Sequence, residues 1–326
     1  MRVTPYLAFA LCASACDAPQ ARSHAASSTP SALPAPSALV RERCAGDCSA
    51  EIVLRGQREI RSLAIAGGRT FWGSWRIELE PNDSVQMLAA RGAPPKRLAS
   101  GLHGVCALEV DDEYVYLIEP GLRADGSLRR VPLAGGKPEL LVTQPGACGM
   151  ALTPREVVYA SAGKLQAIPK RGGSARVLGK AAPFAVVRAL GETLYWSSED
   201  GVYRSRGGPA ERVLSTKDVY AIAITREYLV VQRGGADPGI VRARHDGGDS
   251  RLLYGGDVDA LAADDSHAFF ATSEGGARTI RRIALLDGEM TLLARRPQQS
   301  ATAIALDDTH VYFTDPAEGL LLRVAK

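Results

Sequence analysis

Three pairs of adjacent aspartates are the residues of this chain best suited to bind an ion. They are Asp111-Asp112, Asp264-Asp265 and Asp307-Asp308, and each pair lies between a short apolar run and an aromatic run. Carboxylate oxygens are the ligands that calcium prefers, but the ion needs about six to eight oxygens that converge from one loop. Consecutive acids in three separate segments do not converge in this way. A turn in which the carboxylate bonds its own backbone two residues on is the simpler interpretation.

No other residue pattern indicates a reaction. The chain has 5 histidines, and none of them belongs to a recognisable catalytic arrangement. The sequence contains no GxSxG or HExxH motif and no phosphate-binding glycine loop, and its Gly-Gly pairs have the spacing of hairpin turns. We therefore predict no catalytic residue and no metal ligand set.

The aspartate pairs belong to a repeating unit of roughly 40 residues, a period typical of propeller blades. An aromatic or β-branched residue marks each unit at intervals of 35 to 45 residues, at Phe71, Tyr116, Tyr159, Tyr195, Val230, Phe269 and Tyr312. Each unit contains a small apolar run, a polar turn, an aromatic run, a run alternating apolar and basic residues, a glycine turn and a fourth short run. Such short, alternating and β-branched runs predict strands. Four antiparallel strands per unit are typical of a β-propeller blade.

The two ends of the repeat region predict how the ring closes. The last unit stops at LLLRVAK, its third strand, whereas EIVLRG at 51–56 has the fourth-strand pattern and no unit of its own. Because an open sheet edge invites aggregation, strand 51–55 is expected to complete the last blade. We predict an all-β, seven-bladed β-propeller with four antiparallel strands per blade. A six-bladed ring with one degenerate copy is the alternative.

The repeats resemble those of YWTD-type and NHL-like β-propellers, most of all the propeller lipoproteins of high-GC, myxobacterial-type bacteria. IALDDTHVYFTD at 304–315 and SLRRVPLAGG at 127–136 carry the resemblance, which covers about residues 51–326. Three units depart from the pattern, with Thr153, Gly191 and Thr225 at the start of the first turn. The resemblance implies a fold and export. It implies no reaction, because this fold carries many functions.

The N-terminal segment has the features of an export signal. An apolar run at 5–15 is too short to span a membrane and ends in the small residues Ala13-Ser14-Ala15, so residues 1–15 are expected to be a signal peptide. The sequence ASAC at 13–16 resembles a bacterial lipobox, which implies lipidation of Cys16. A soluble periplasmic or secreted protein is the alternative.

Two further parts follow the signal. Residues 16–43 are rich in Ala, Ser and Pro and cannot bury a core, so we expect a disordered linker behind the lipidated cysteine. Residues 44–326 are expected to form the propeller domain. This organisation predicts an envelope lipoprotein, periplasmic or on the outer surface.

The remaining cysteines predict two disulfides in an oxidising compartment. Cys106 and Cys148 stand at equivalent positions before the first strands of adjacent units, which favours a Cys106–Cys148 bridge. Cys44 and Cys48 would then pair in a small loop. Other pairings remain open at this point, and a zinc site is disfavoured because no histidine cluster accompanies CAGDC.

The balance of charge argues against nucleic-acid binding. The chain has 39 basic and 36 acidic residues, a net charge of +3, whereas nucleic-acid binding needs clustered Lys and Arg. The favoured hypothesis is an exported, lipid-anchored, monomeric scaffold without catalysis or cofactor, which binds an envelope protein, peptide or glycan. The candidate binding residues precede the first strands, at the expected channel mouth: His103, Gln144, Lys180, Asp218, Asp257 and Asp259.

An enzymatic alternative places a metal site at the same channel mouth. Three of these residues, Asp218, Asp257 and Asp259, could hold a divalent ion such as calcium in a metal-dependent propeller hydrolase or lactonase. Ordinary loop polarity explains the same residues without a metal.

Overall fold

The computed structural model describes residues 48–57, 59–75, 83–120, 126–143, 148–274, 277–297 and 303–326. The predicted signal peptide, Cys16 and the whole predicted linker, residues 16–43, lie outside these residues. Within them, the chain forms 28 β-strands in seven four-stranded antiparallel sheets, and it forms no helix long and apolar enough to cross a membrane. The all-β prediction is confirmed.

The first four blades are meanders of consecutive strands. Blade 1 contains β2 (Ile60–Ala66), β3 (Arg69–Ser74), β4 (Asp83–Leu88) and β5 (Lys96–Leu102). Blade 2 contains β6 (Ala107–Val110), β7 (Tyr114–Glu119), β8 (Ser127–Pro132) and β9 (Glu139–Thr143). Blade 3 contains β10 (Met150–Leu152), β11 (Glu156–Ser161), β12 (Lys164–Pro169) and β13 (Arg176–Lys180). Blade 4 contains β14 (Val187–Leu190), β15 (Thr193–Ser198), β16 (Gly201–Ser205) and β17 (Glu211–Leu214).

The last three blades continue this order until the final strand. Blade 5 contains β18 (Val219–Ile224), β19 (Tyr228–Arg233), β20 (Gly239–Arg244) and β21 (Arg251–Gly255). Blade 6 contains β22 (Ala260–Ala263), β23 (His267–Glu274), β24 (Ala277–Ala284) and β25 (Met290–Pro297). Blade 7 contains β26 (Ile304–Leu306), β27 (His310–Asp315), β28 (Leu320–Ala325) and, from the other end of the chain, β1 (Glu51–Leu54).

The first strands of the blades form the inner wall of a closed ring. Each inner strand contacts the inner strand of the next blade, and β2 of blade 1 contacts β26 of blade 7. The seven-bladed prediction is therefore confirmed and the six-bladed alternative is wrong. Closure also follows the prediction, because β1 pairs antiparallel with β28 and places Glu51 opposite Arg323.

Strand register corrects one detail of the repeat. In six units the aromatic or β-branched residue that marks the unit pairs with the residue at one equivalent position of the inner strand. In the third unit Ala151 holds that position, and it pairs with Val158 and not with Tyr159. Tyr159 faces Met150 instead. The sequence anchor was wrong by one residue because both Val158 and Tyr159 fit an aromatic or β-branched pattern. The corrected register decides which residues are equivalent on the inner wall.

The aspartate pairs form turns, as the sequence predicts. The Oδ1 atom of Asp307 accepts hydrogen bonds from the backbone N–H groups of Thr309 and His310, both at 2.7 Å. Asp111 and Asp264 accept the corresponding bonds in their own turns. Burial raises the pKa of these three carboxyl groups, but the bonds that they accept outweigh burial and hold each pKa below its usual range. Each of these carboxylates is therefore engaged in hydrogen bonds within its own turn.

Threonine replaces the aspartate in two of the units that depart from the repeat. The hydroxyl of Thr225 accepts hydrogen bonds from the N–H groups of Glu227 and Tyr228 at 3.3 and 2.9 Å. The hydroxyl of Thr153 accepts one from Glu156 at 3.0 Å. The turn geometry is thus kept by a different oxygen, a substitution that ordinary turn chemistry permits.

Basic residues of the third strands join neighbouring blades. Arg130, Arg204 and Arg242 each donate a hydrogen bond to a backbone carbonyl of the next blade, at 2.7, 2.8 and 2.7 Å respectively. The acceptors are the carbonyl oxygens of Lys170, His245 and Leu285. The alternation of apolar and basic residues in these strands therefore has a structural role. The apolar residues pack in cores shared with neighbouring blades, as Val131 does with blade 1 and Leu128 with blade 3, and the arginines bridge to the next blade.

A disulfide joins the inner walls of blades 2 and 3. Cys106 and Cys148 form this bridge, with a Cα–Cα distance of 5.5 Å, as predicted from their equivalent positions. Cys48 is also disulfide-bonded. Cys44 lies outside the described residues, so the Cys44–Cys48 pairing stays a prediction.

Candidate binding site at the channel mouth

The two faces of the ring are built from different segments. Because every blade is an antiparallel meander, the aspartate turns and glycine turns share one face. The opposite face carries the segments that lead into each inner strand, together with the loops between second and third strands. We call it the mouth face, because the central channel opens there beside the starts of the inner strands. The five described candidate residues, His103, Lys180, Asp218, Asp257 and Asp259, belong to segments of this face.

A cavity of about 290 Å³ occupies the central channel and touches inner-strand residues of all seven blades. At about 30 Å³ per water molecule in the liquid, this volume corresponds to roughly ten waters. It lies near the lower limit of the volumes that hold small organic ligands, about 300 Å³. The channel can therefore admit a small molecule or a single side chain, but not a folded segment.

Two opposite charges stand on the inner wall where the repeat otherwise has alanine. The strand register makes seven positions equivalent: Ala64, Glu109, Ala151, Arg188, Ala223, Ala262 and Ala305. Glu109 on blade 2 and Arg188 on blade 4 both line the cavity. Burial in the channel raises the pKa of Glu109, and the positive charge of Arg188 offsets part of that rise.

A second pair of charges lies nearer the mouth. Arg61 on blade 1 and Asp259 at the start of blade 6 also line the cavity. Both precede the alanine positions by three residues, which places them about 10 Å closer to the mouth at 3.3 Å per strand residue. The Oδ2 atom of Asp259 accepts a hydrogen bond from the Ser273 hydroxyl at 2.6 Å. The described part of the cavity wall therefore carries two positive and two negative side chains.

The structure separates most of the residues that the sequence named. His103, Lys180, Asp218 and Asp257 are exposed on the mouth face and do not line the cavity, whereas Asp259 does. Gln144 lies outside the described residues. His103 is fixed through its backbone, since its N–H donates to Glu119 at 2.8 Å.

The three aspartates of the enzymatic alternative do not form a cluster of ligands. Within the described part of the chain, no three His, Cys, Asp or Glu side chains come together in an arrangement that could hold a metal ion. No geometric observation on the described residues favours the hydrolase hypothesis over the scaffold hypothesis.

Two large apolar side chains are exposed on the mouth face of neighbouring blades. Phe184, in the segment that leads into blade 4, is 85% exposed, and Tyr220, at the start of the inner strand of blade 5, is 65% exposed. Other exposed apolar residues lie elsewhere, with Leu140, Val177 and Leu252 on outer strands and Leu190 and Leu286 on the opposite face. Exposed aromatic rings are costly to hydrate and are typical of binding surfaces.

A pair of glycines shapes the surface around Tyr220. A Cβ atom at Gly234 would overlap the Tyr220 ring, and one at Gly235 would overlap the carboxylate of Asp218. The N–H of Gly234 also donates to the Asp218 carbonyl at 2.9 Å. The two glycines therefore leave space for the Tyr220 ring to lie across their loop, and in this position the exposed ring is beside the channel mouth.

The charges of the inner wall could have been found in the sequence. Glu109 and Arg188 are the two charged residues at an inner-strand position that holds alanine in the other five units. Comparing the seven units position by position therefore shows them. The sequence prediction rested on equivalent positions of the cysteines and of the residues that mark each unit, and not on this position of the inner strand. Phe184 and Tyr220 give no such signal, because the mouth-face segments do not repeat.

Comparison with known proteins shows the fold. No protein-family profile matches the chain, and no curated protein is significantly similar in sequence. Among solved structures, BamB from Moraxella catarrhalis is 15% identical, with a TM-score of 0.52 over 82% of this chain and 86% of that one. A chain of the mitotic checkpoint complex is 12% identical, with a TM-score of 0.63 over 90% of this chain and 99% of that one.

A third similar structure differs in how its ring is described. The β-propeller domain of the trilobed protease from Pyrococcus furiosus is 9% identical, with a TM-score of 0.61 over 83% of this chain and 94% of that one, and is described as having an open velcro topology. Here β1 closes the last blade. At these identities the likeness is one of fold alone, and this chain is a seven-bladed β-propeller.

Proposed function

We propose that this protein is a non-catalytic, exported propeller scaffold whose mouth face binds an envelope protein, peptide or glycan. The observation that carries the proposal is the exposure of Phe184 and Tyr220 on neighbouring blades. Aromatic residues dominate the binding energy of many interfaces, where burying one ring commonly contributes 2 kcal/mol or more. The propeller in the mitotic checkpoint complex is an example of this fold within a protein assembly.

The resemblance to YWTD-type and NHL-like propeller lipoproteins supports the export part of the proposal. Cleavage before Cys16 and lipidation of that cysteine would anchor the mature chain, with the linker as its tether to the membrane. The disulfide between Cys106 and Cys148 is compatible with an oxidising compartment.

Mass spectrometry of the mature N-terminus tests the anchor. We expect the first residue of the mature chain to be Cys16 with a mass increase that corresponds to a diacylglycerol, and we expect Cys16→Ser to abolish the increase. An unmodified N-terminal cysteine on the exported protein would leave soluble export as the correct interpretation.

Replacement of both exposed aromatic residues tests the binding face. A Phe184→Ser/Tyr220→Ser variant is expected to lose partner binding by at least about a hundredfold, because two contact rings are removed together. Immobilised variants would be incubated with envelope extract from cells that express the protein naturally, and the retained proteins and glycans would be quantified by mass spectrometry.

A matched variant removes exposed apolar residues from the opposite face. Leu190→Ser/Leu286→Ser is expected to retain the same partners as the natural sequence, since these residues lie among the turns away from the mouth. Equal retention by the natural protein and the mouth-face variant would contradict the proposal, as would a natural protein that retains nothing.

A further inference from the structure

The two charges in the channel attract each other, since Arg188 offsets part of the pKa rise of Glu109, but they do not form a direct ion pair. Within the described residues, no ion pair joins Glu109 and Arg188, although other opposite charges in this fold do pair, such as Arg129 with Glu119 at 2.7 Å and Arg323 with Glu51 at 2.8 Å. A guanidinium N–H of Arg188 donates to the backbone carbonyl of Val187 at 2.9 Å. The two side chains thus face one cavity from blades 2 and 4, with the inner strand of blade 3 between them.

The position of these charges is costly for the fold. Both side chains are partly buried, and partial burial of a charge without a direct ion pair disfavours folding. Five of the seven blades avoid the cost with alanine at the same position. Packing of the ring does not require a charge there, because alanine satisfies it. The two departures therefore need a reason other than structure.

We propose that the channel cavity binds a small zwitterion of amino-acid size, with its carboxylate at Arg188 and its ammonium group at Glu109. A guanidinium is well suited to a carboxylate because it can donate two parallel hydrogen bonds. The cavity volume of about 290 Å³ excludes a macromolecule. The balance of two positive and two negative side chains on its wall favours a ligand with both charges over a simple anion or cation.

Binding should depend on pH through Glu109. The groups that face this carboxyl across the channel are Arg61 of β2, Arg188 of β14, Tyr220 of β18 and Asp259 before β22, while Tyr116 is its cross-strand neighbour. Among the residues that the structure describes, blades 3 and 7 contribute Cys148, Met150, Ala303 and Ile304 to the cavity wall. Burial raises the pKa of Glu109, and its carboxyl group must be ionised to bind an ammonium group. Affinity is therefore expected to fall as the pH falls through that pKa.

Free L-amino acids are the probes that test the proposal. Each of the twenty, at 10 mM, would be added to the purified mature protein, and its unfolding temperature would be measured. We expect at least one to raise that temperature and to bind with a stoichiometry of one in calorimetry. Titration in two buffers with different ionisation enthalpies, near the pKa of Glu109, should show that protons are released on binding.

Variants identify the site. Glu109→Gln and Arg188→Met are each expected to weaken binding at least tenfold, and Glu109→Gln should also abolish proton release. Arg188→Lys keeps the positive charge and should retain part of the affinity, which separates the loss of charge from damage to the fold. Glu192→Gln and Arg206→Met, two exposed residues outside the cavity, are the matched controls and should bind like the natural protein.

Two results would overturn the proposal. One is that no amino acid changes the unfolding temperature by more than 1 °C. The other is that an amino acid binds equally well to Glu109→Gln, Arg188→Met and the natural protein, which would place it elsewhere. Neither result depends on the mouth-face partner, because the assay uses purified protein without extract and the tested variants leave both Phe184 and Tyr220 in place, although Tyr220 also lines the cavity.

Discussion

A chain shortened to begin at Gly56 is expected to lose the closed ring and to unfold or aggregate at temperatures at which the chain from Arg41 onward is folded. The shortened chain lacks β1, the outer strand of blade 7. Circular dichroism during heating and size-exclusion chromatography would measure the change. We expect the unfolding temperature to fall by at least about 10 °C, because about 5 kcal/mol corresponds to roughly 10 to 20 °C in a protein of this size class.

The size of this effect follows from what β1 contributes. Its residues pair with β28 along Glu51, Ile52 and Leu54, and its aliphatic side chains pack on Leu321 and Leu322, which are fully buried. Partial burial of three aliphatic side chains and the lost ladder hydrogen bonds together amount to about 5 kcal/mol. Total stabilities of natural domains are about 5 to 15 kcal/mol, so this loss is a large fraction of the whole.

Charge also holds the closing strand in place. Glu51 pairs with Arg323 of blade 7 at 2.8 Å and with Arg91 of blade 1, and its hydrogen bond from Arg323 lowers its pKa below the usual range. An Arg323→Ala substitution should therefore destabilise the ring much less than removal of β1, by about 1 kcal/mol, because the ion pairs are partly exposed.

Strand complementation is the control for the shortened chain. A synthetic peptide with the sequence of residues 48–56 is expected to restore part of the unfolding temperature by pairing with the exposed edge of β28. A peptide in which Ile52 and Leu54 are replaced by Asp should not. A shortened chain that stays monomeric, with an unfolding temperature within 3 °C of the longer chain, would show that blade 7 is stable with three strands.

The sequence predicts features that the repeat itself encodes. Blade number, the closing role of 51–55 and the Cys106–Cys148 bridge all follow from comparing equivalent positions, and strand periodicity and turn chemistry make those positions recognisable. Even where the aspartate is lost, Thr225 keeps the turn. The strand and turn preferences of each unit predict the same architecture as the closure of the ring, so the sequence specifies this architecture strongly.

The binding surface is harder to predict because it lies in segments that do not repeat. Asp218 adopts a left-handed conformation, with φ of 52°, and its exposed side chain does not line the cavity. Tyr220 lies across Gly234, 14 positions further along the chain. Such contacts between loops depend on backbone conformations that residue type alone does not specify. Only Asp259 among the six residues predicted for the channel mouth therefore lines the cavity in the described structure.

Loss of the disulfide between blades 2 and 3 is expected to lower stability almost as much as loss of β1. A Cys106→Ala/Cys148→Ala variant frees a loop whose ends are separated by 42 residues. The chain-entropy relation gives about 4 kcal/mol for a loop of this length, or roughly 8 to 16 °C in unfolding temperature for a domain of this size. Thermal unfolding under oxidising conditions would measure the difference from the natural protein.

The second cysteine pair gives a matched comparison for this result. If Cys44 pairs with Cys48, a Cys44→Ser/Cys48→Ser variant frees a much shorter loop and should lose only about 2 kcal/mol. Larger destabilisation of the Cys106→Ala/Cys148→Ala variant would show that loop length sets the effect. Equal unfolding temperatures for that variant and the natural protein would show that the bridge does not stabilise the fold by restricting the unfolded chain. In that case the bridge would act locally, since both of its cysteines line the channel cavity beside Glu109.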